Sequence, residues 1–107
     1  MREPTYFVLA SLIDGPLHGY AIVQRAAELS SGDVQLSTGT LYGVLDRALA
    51  ERLVMAGEPY LEGGRERRDY RLTHDGRAAL HAEATRLARA GAKITRRLRA
   101  TAPAVAR

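Results

Sequence analysis

Residues 62–73 read EGGRERRDYRLT, and the folding of this stretch decides what the rest of the chain can be. Gly63 and Gly64 can both take positive φ, which a two-residue hairpin turn requires. Leu53–Leu61 before it and Arg67–Leu72 after it read as two strands joined by EGGRER. In the second strand Arg68, Tyr70 and Leu72 share one face, and Asp69 and Arg71 share the other. Arg65, Arg67 and Arg68 gather at or beside the turn. Charges on an edge hairpin deter aggregation. A slim cationic loop also suits the phosphate backbone of a duplex, because each neutralised phosphate releases counterions. An arginine at such a tip can in addition enter a narrow minor groove. The elements on either side choose between these readings.

Downstream, Thr73 caps a long helix that runs to about residue 99. Leu80, Ala84, Leu87, Gly91, Ile94 and Leu98 recur in steps of four and three, a heptad seam. Ala84 and Gly91 are small enough for two backbones to pack closely there. A compact unit upstream leaves this helix little of its own domain to cover, so the seam is expected to face a second subunit. Its surface is mostly basic, a solvated face by default. The last residues, ATAPAVAR (100–107), read as a frayed tail.

Upstream, Ser37 is a good N-cap for a third helix. Leu41, Val44, Leu45, Ala48 and Leu49 form one apolar stripe, with Gly39, Thr40, Tyr42, Gly43, Asp46 and Arg47 opposite. The first turn, STGT (37–40), carries only small or hydroxylated side chains, which lets a phosphate approach the helix N-terminus. Taken alone, the helix is an ordinary amphipathic one, and Asp46 on the outer face argues mildly against DNA. The loop SSGDVQL (30–36) separates it from a second helix, about Gly19 to Leu29, with Ile22, Ala26 and Leu29 inward. DGPLHG (14–19) reads as a turn. A first helix spans about residues 4–13, with Pro4 in its first turn and no charge from Tyr6 to Ile13. A helix apolar on nearly every side is buried on more than one side. In so small a domain a second subunit is the better partner for Tyr6, Phe7 and Ala10.

Bulk properties narrow the function. At 107 residues with 46% hydrophobic content, the chain suits one small domain that gains from a partner. Sixteen Lys and Arg against 12 Asp and Glu give +4, a balance often found in proteins that meet nucleic acid. Cysteine is absent, which excludes disulfides, thiolate metal sites and cysteine nucleophiles. No apolar run is long enough to span a bilayer and no cleavage site follows YFVLASLI (6–13). No membrane partner and a cytoplasmic location are therefore expected. His18 sits in a turn, where a structural hydrogen bond is its expected role. His74 and His81 are seven residues apart, about 10.5 Å along one helix, too far to share an ion within a chain. Phosphate-loop, dinucleotide and nucleophile-elbow fingerprints are absent. We expect no catalysis, no catalytic residues, no resident cofactor and no metal site. A small-molecule or metal-ion effector stays open.

The order helix, helix, helix, hairpin, long helix is mostly α with a small β-hairpin. Helices two and three make a helix-turn-helix, and the hairpin is its wing. The expected division is 1–73 for the winged helix-turn-helix and 74–107 for the dimerisation helix and tail. GPLHGYAIVQRA (15–26), LSTGTLYGVLDRALAERLV (36–54) and EGGRERRDYRLTHDGRAAL (62–80) resemble the three signature blocks of the PadR family of transcriptional regulators. The resemblance covers about residues 4–80, and the single long helix afterwards is similar to the short branch of that family. Thr38 and Gly43 stand where the family often has proline. The resemblance implies a homodimer that binds double-stranded DNA at a palindromic operator and represses a neighbouring gene. It implies that Ser37, Thr38, Gly39, Thr40 and Tyr42 on the third helix, and Gly63, Gly64, Arg65, Arg67 and Arg68 on the wing, face DNA. Tyr6, Phe7, Ala10, Leu80, Ala84, Leu87, Gly91, Ile94 and Leu98 would build the dimer interface, where short-branch members can hold small molecules. A protein-interaction module on the same scaffold, or a nonspecific nucleic-acid binder, are the competing functions.

Overall fold

A computed structural model describes residues 1–101 and 103, and the expected tail from residue 102 onward otherwise lies outside the described residues. The elements run α1 (Glu3–Ser11), β1 (Leu17–His18), α2 (Gly19–Leu29), α3 (Thr38–Ala50), β2 (Val54–Ala56), β3 (Tyr60–Glu62), β4 (Arg65–Arg67), β5 (Asp69–Leu72) and α4 (His74–Ala100). Local chemistry sets the helix ends. The side chains of His18, Ser37 and Thr73 accept from the backbone N–H of Ala21, Thr40 and Gly76, capping α2, α3 and α4. Past α2, the Gly32 N–H closes onto the Ala27 carbonyl at 2.8 Å. Gly32 has φ +85°, the left-handed geometry that ends many helices.

One apolar core joins these elements. Val8, Leu9 and Leu12 of α1 meet Ile22 of α2, Leu41, Val44, Leu45 and Ala48 of α3, Val54, Tyr70 and Leu80. Each buried Leu, Ile or Val contributes about 1.5–3 kcal/mol relative to exposure. Ser11, also buried, donates to the Val8 carbonyl at 2.6 Å, so its hydroxyl is satisfied. Gly76, in the first turn of α4, is buried so tightly that a Cβ there would collide with the Leu53 carbonyl.

The β region differs from the expectation in three ways. Leu53–Leu61 is not one strand but two, β2 and β3, broken at Gly57-Glu58-Pro59. Pro59 has no N–H for a ladder, which favours the break there. The turn expected at 14–19 ends in a short strand, β1, whose Leu17 and His18 pair with Tyr70 and Asp69. β5 is therefore the centre of a three-stranded sheet ordered β1-β5-β2. Arg68 lies between β4 and β5 and is exposed, rather than sharing a strand face with Tyr70 and Leu72. The hairpin turn itself is as read: Glu62 pairs with Arg65 across Gly63 and Gly64, whose φ values are +57° and +78°.

α4 is 27 residues long, about 40 Å at 1.5 Å per residue. Its first turns pack on the body, burying Gly76 and Leu80. Leu80 thus fills its own subunit's core, and Ala84 is half-buried. Beyond Thr85 every described residue of the helix is exposed, including Gly91 and, at 43%, 62% and 65%, Leu87, Ile94 and Leu98. Tyr6, Phe7 and Ala10 of α1 are half-buried.

Candidate nucleic-acid interface

α3 stands with its first turn open. Ser37, Thr38, Gly39 and Thr40 are all exposed. The Ser37 hydroxyl accepts from the Thr40 N–H at 3.1 Å and donates to the Thr40 hydroxyl at 3.0 Å, so these two side chains are tied to the cap. A Cβ on Gly39 would meet nothing within 4 Å, so space lies directly over the helix start. Tyr42, exposed by 44%, leans toward α2: a Cβ on Gly19 would come 2.8 Å from its hydroxyl. Gly43 has room for a methyl group, with Arg47 Nη1 the nearest atom at 3.8 Å.

A cleft of about 560 Å³ joins α3 to the wing. His18, Tyr20, Thr38, Tyr42, Arg67 and Arg68 are among the residues that line it. Cations on a concave surface suit the phosphate backbone of a nucleic acid. Tyr20, 62% exposed at the start of α2, belongs to this cleft and was not singled out from the sequence. Its signal was there to read: an aromatic on the outer face of the helix that precedes the reading helix. Tyr70 forms the cleft floor, 8% exposed, and burial raises its pKa, with Tyr42 and Asp46 adding to the rise and Arg68 opposing it.

The wing arginines divide. Arg65 and Arg68 are exposed. Arg67 is half-buried, its guanidinium 3.3 Å from His18 Nδ1 and 3.6 Å from a Glu62 carboxylate oxygen. Opposite it in the ladder, Tyr60 donates to Asp69 at 2.6 Å, and this hydrogen bond, with burial and the Asp69 charge, pushes the Tyr60 pKa up to about 12. His18 makes the expected structural bond, accepting from the Ala21 N–H at 3.2 Å.

His74 and His81 line a second cavity of about 500 Å³ between α1 and α4, with Tyr6, Ala10, Arg77 and Ala84. Among the described residues no group of three His, Cys, Asp or Glu side chains is placed to hold a metal ion. Among the described residues no helix is long and apolar enough to cross a membrane.

Three helices, a β-hairpin wing and a protruding last helix define a winged helix-turn-helix protein with a C-terminal helical extension. The family model described as the Transcriptional regulator PadR-like family matches residues 8–82, and the chain belongs to that family. Its members regulate transcription and are not enzymes. An uncharacterised 37.1 kDa protein of transposon TN4556 from Streptomyces fradiae is 46% identical over 93 residues, covering 87% of this chain and 25% of that protein. Transcriptional regulator Rv3488 of Mycobacterium tuberculosis is 40% identical over 73 residues, covering 68% of this chain and 64% of that protein. Bacillus subtilis PadR, solved in complex with operator DNA, superposes with a TM-score of 0.68 at 25% identity. That match covers 78% of this chain and 47% of the Bacillus chain. This chain therefore spans a quarter to under two thirds of the length of these relatives.

Proposed function

We propose that the chain is a sequence-specific, DNA-binding repressor that acts in the cytoplasm as a homodimer on a palindromic operator. One observation carries the reading: the open first turn of α3 and the cationic wing border the same cleft. A duplex laid there would present base edges to Thr38, Gly39 and Tyr42 and phosphates to Arg65 and Arg68. Arg25, by contrast, is held at 3.4 Å by both Asp14 and Glu28 and is less free to serve.

The second copy is supported by α4, whose outer half exposes Leu87, Gly91, Ile94 and Leu98 to water. Apolar side chains at heptad spacing gain by pairing with the same surface on a partner. Under two-fold symmetry the paired reading helices enter successive major grooves, about 34–36 Å apart. In this reading an effector, a small organic molecule or a metal ion, enters the cavity between α1 and α4 and changes the affinity for DNA by binding the two dimer states unequally.

The test is a gel-shift titration on the duplex upstream of the chain's own coding region against a random duplex of equal length. The proposal predicts tighter binding to the upstream duplex at moderate salt. Equal affinity for both would sink it.

A further inference from the structure

Arg67 sits at the base of the wing in a setting unlike that of Arg65 and Arg68. Its side chain is 21% exposed, and its Nε is enclosed without a hydrogen-bond partner among the described residues. The guanidinium is wedged between Glu62 Oε1, at 3.6 Å, and His18 Nδ1, at 3.3 Å. A guanidinium only donates, so Nδ1 must be the accepting nitrogen. The Ala21 N–H donates to the same Nδ1 at 3.2 Å, so the two donors share its one lone pair. Both contacts require Nδ1 without a proton, which leaves the imidazole proton on Nε2. That nitrogen faces Glu62 Oε1 at 4.0 Å. His18 therefore does two things at once: it caps α2 and it grips the wing.

The rest of the wing has little to hold it. β3 and β4 form a sheet separate from β1-β5-β2. Leu61 is 76% exposed, and Glu62, Arg65 and Glu66 are also exposed, so the wing has no apolar core of its own. Its other side-chain tie to the body is the hydrogen bond from Tyr60 to Asp69. A hairpin without core packing belongs to the least stable end of a structure. Polar side-chain ties then set where it rests.

We infer that His18, Arg67 and Glu62 form a latch that fixes the wing against the start of α2. Arg67 is a positioning residue, not a DNA contact. Resting on the DNA-binding reading above, the latch leaves Arg65 and Arg68 as the wing cations that meet phosphates. Turning the guanidinium outward to a phosphate would draw Nη1 away from the imidazole and Nε away from the Glu62 carboxylate. Freed from the latch, the wing would still carry its charges but would no longer hold them beside α3.

The first arm of the test needs no DNA. The chain has no cysteine, so a nitroxide on Glu66→Cys reports the wing alone. Arg67→Gln and His18→Asn should each raise the mobile fraction of its spectrum roughly tenfold, the low end for losing a hydrogen bond to a charged group. Asparagine keeps a capping acceptor on α2, so the loss is of the grip and not of the helix end. The double variant should be no more mobile than the more mobile single one, because both changes open one latch. If either single variant leaves the spectrum unchanged, or the two effects multiply, the latch is wrong. Should His18→Asn fail to fold, Glu62→Gln, on a side chain 60% exposed, takes its place with a smaller rise of about two- to fivefold, the range for an exposed ion pair.

The second arm measures binding to a random-sequence duplex at several salt concentrations. Arg65→Ala should make the slope of log K against log[salt] shallower by about 0.9, the value for one phosphate contact. In a background lacking Arg65 and Arg68, Arg67→Gln should change affinity less than about twofold, the limit of additivity between independent sites. A further slope loss of about 0.9 in that background would make Arg67 a phosphate contact and overturn the assignment. If the unmodified protein binds no duplex at any salt, the DNA reading fails, and the nitroxide alone decides the latch.

Discussion

The body of this molecule and its wing are built on opposite principles. In the body, Val8, Leu9, Ile22 and Leu45 have no exposed surface, and the elements are fixed by apolar contact. In the wing, Leu61 is the most exposed large hydrophobic, and the elements are fixed by Tyr60–Asp69 and by Arg67 with His18 and Glu62. This division of labour lets so small a protein carry a cationic tip. Charge at Arg65 and Arg68 would be costly in a core but stays in water on a slim hairpin, at the expense of local stability. Substitutions in the body should therefore move the global unfolding transition, while those in the wing should leave it in place and alter only what the wing does.

The largest expected effect lies in the body. Gly76→Ala would drive a methyl into the backbone carbonyl of Leu53, which cannot swing aside as a side chain could. We expect a loss of about 3 kcal/mol or more, as for severe overpacking, measured by urea denaturation. An unchanged midpoint would mean that the junction between α4 and the body yields. Next, Gly64→Ala places a side chain at φ +78°, at a cost of about 1–2 kcal/mol confined to the hairpin. The thermal midpoint should stay in place while affinity for duplex DNA falls, and a matching fall in the midpoint would show that wing and body unfold as one.

How much of this contrast was legible in the sequence depends on whether the cause was local. Ser37 and Thr73 name the starts of α3 and α4 because a cap acts within one turn. Gly63-Gly64 names the hairpin turn because the φ requirement lies in the two residues themselves. β1 was not legible, since Leu17 and His18 become a strand only by pairing with β5, some fifty residues on. Gly76 gave no sign of its importance because the atom that forbids a side chain belongs to Leu53. Arg67 looked like its neighbours in a list of charges. Its position two residues from Arg65 in a strand did put it on the face of Tyr60 and Glu62, a signal that alternation alone could have supplied. Leu80 fits the heptad seam, yet it packs in the body's core.

Gly43→Ala in α3 should raise stability by up to about 1 kcal/mol through helix propensity, since the methyl has room. A loss would show that α3 needs flexibility there. The smallest effect is one of pH. The folded pKa of Tyr60 lies near 12, above its ordinary 10.0, so its neutral form is favoured by folding. The stabilisation is fully present below pH 10 and is lost as pH rises toward 12. Phenolate absorbance should show Tyr60 titrating near 12, and Asp69→Asn should bring it back toward 10. A Tyr60 that titrates at 10 in the unaltered protein would mean that the wing's hydrogen bond to Asp69 is not made.

If α3 and the wing of two subunits read one duplex together, a hydroxyl-radical footprint on the upstream DNA will show it. Two protected segments related by dyad symmetry are expected, with centres about 34–36 Å apart, one helical turn. A single unsymmetrical segment, or even protection along the whole duplex, would contradict it.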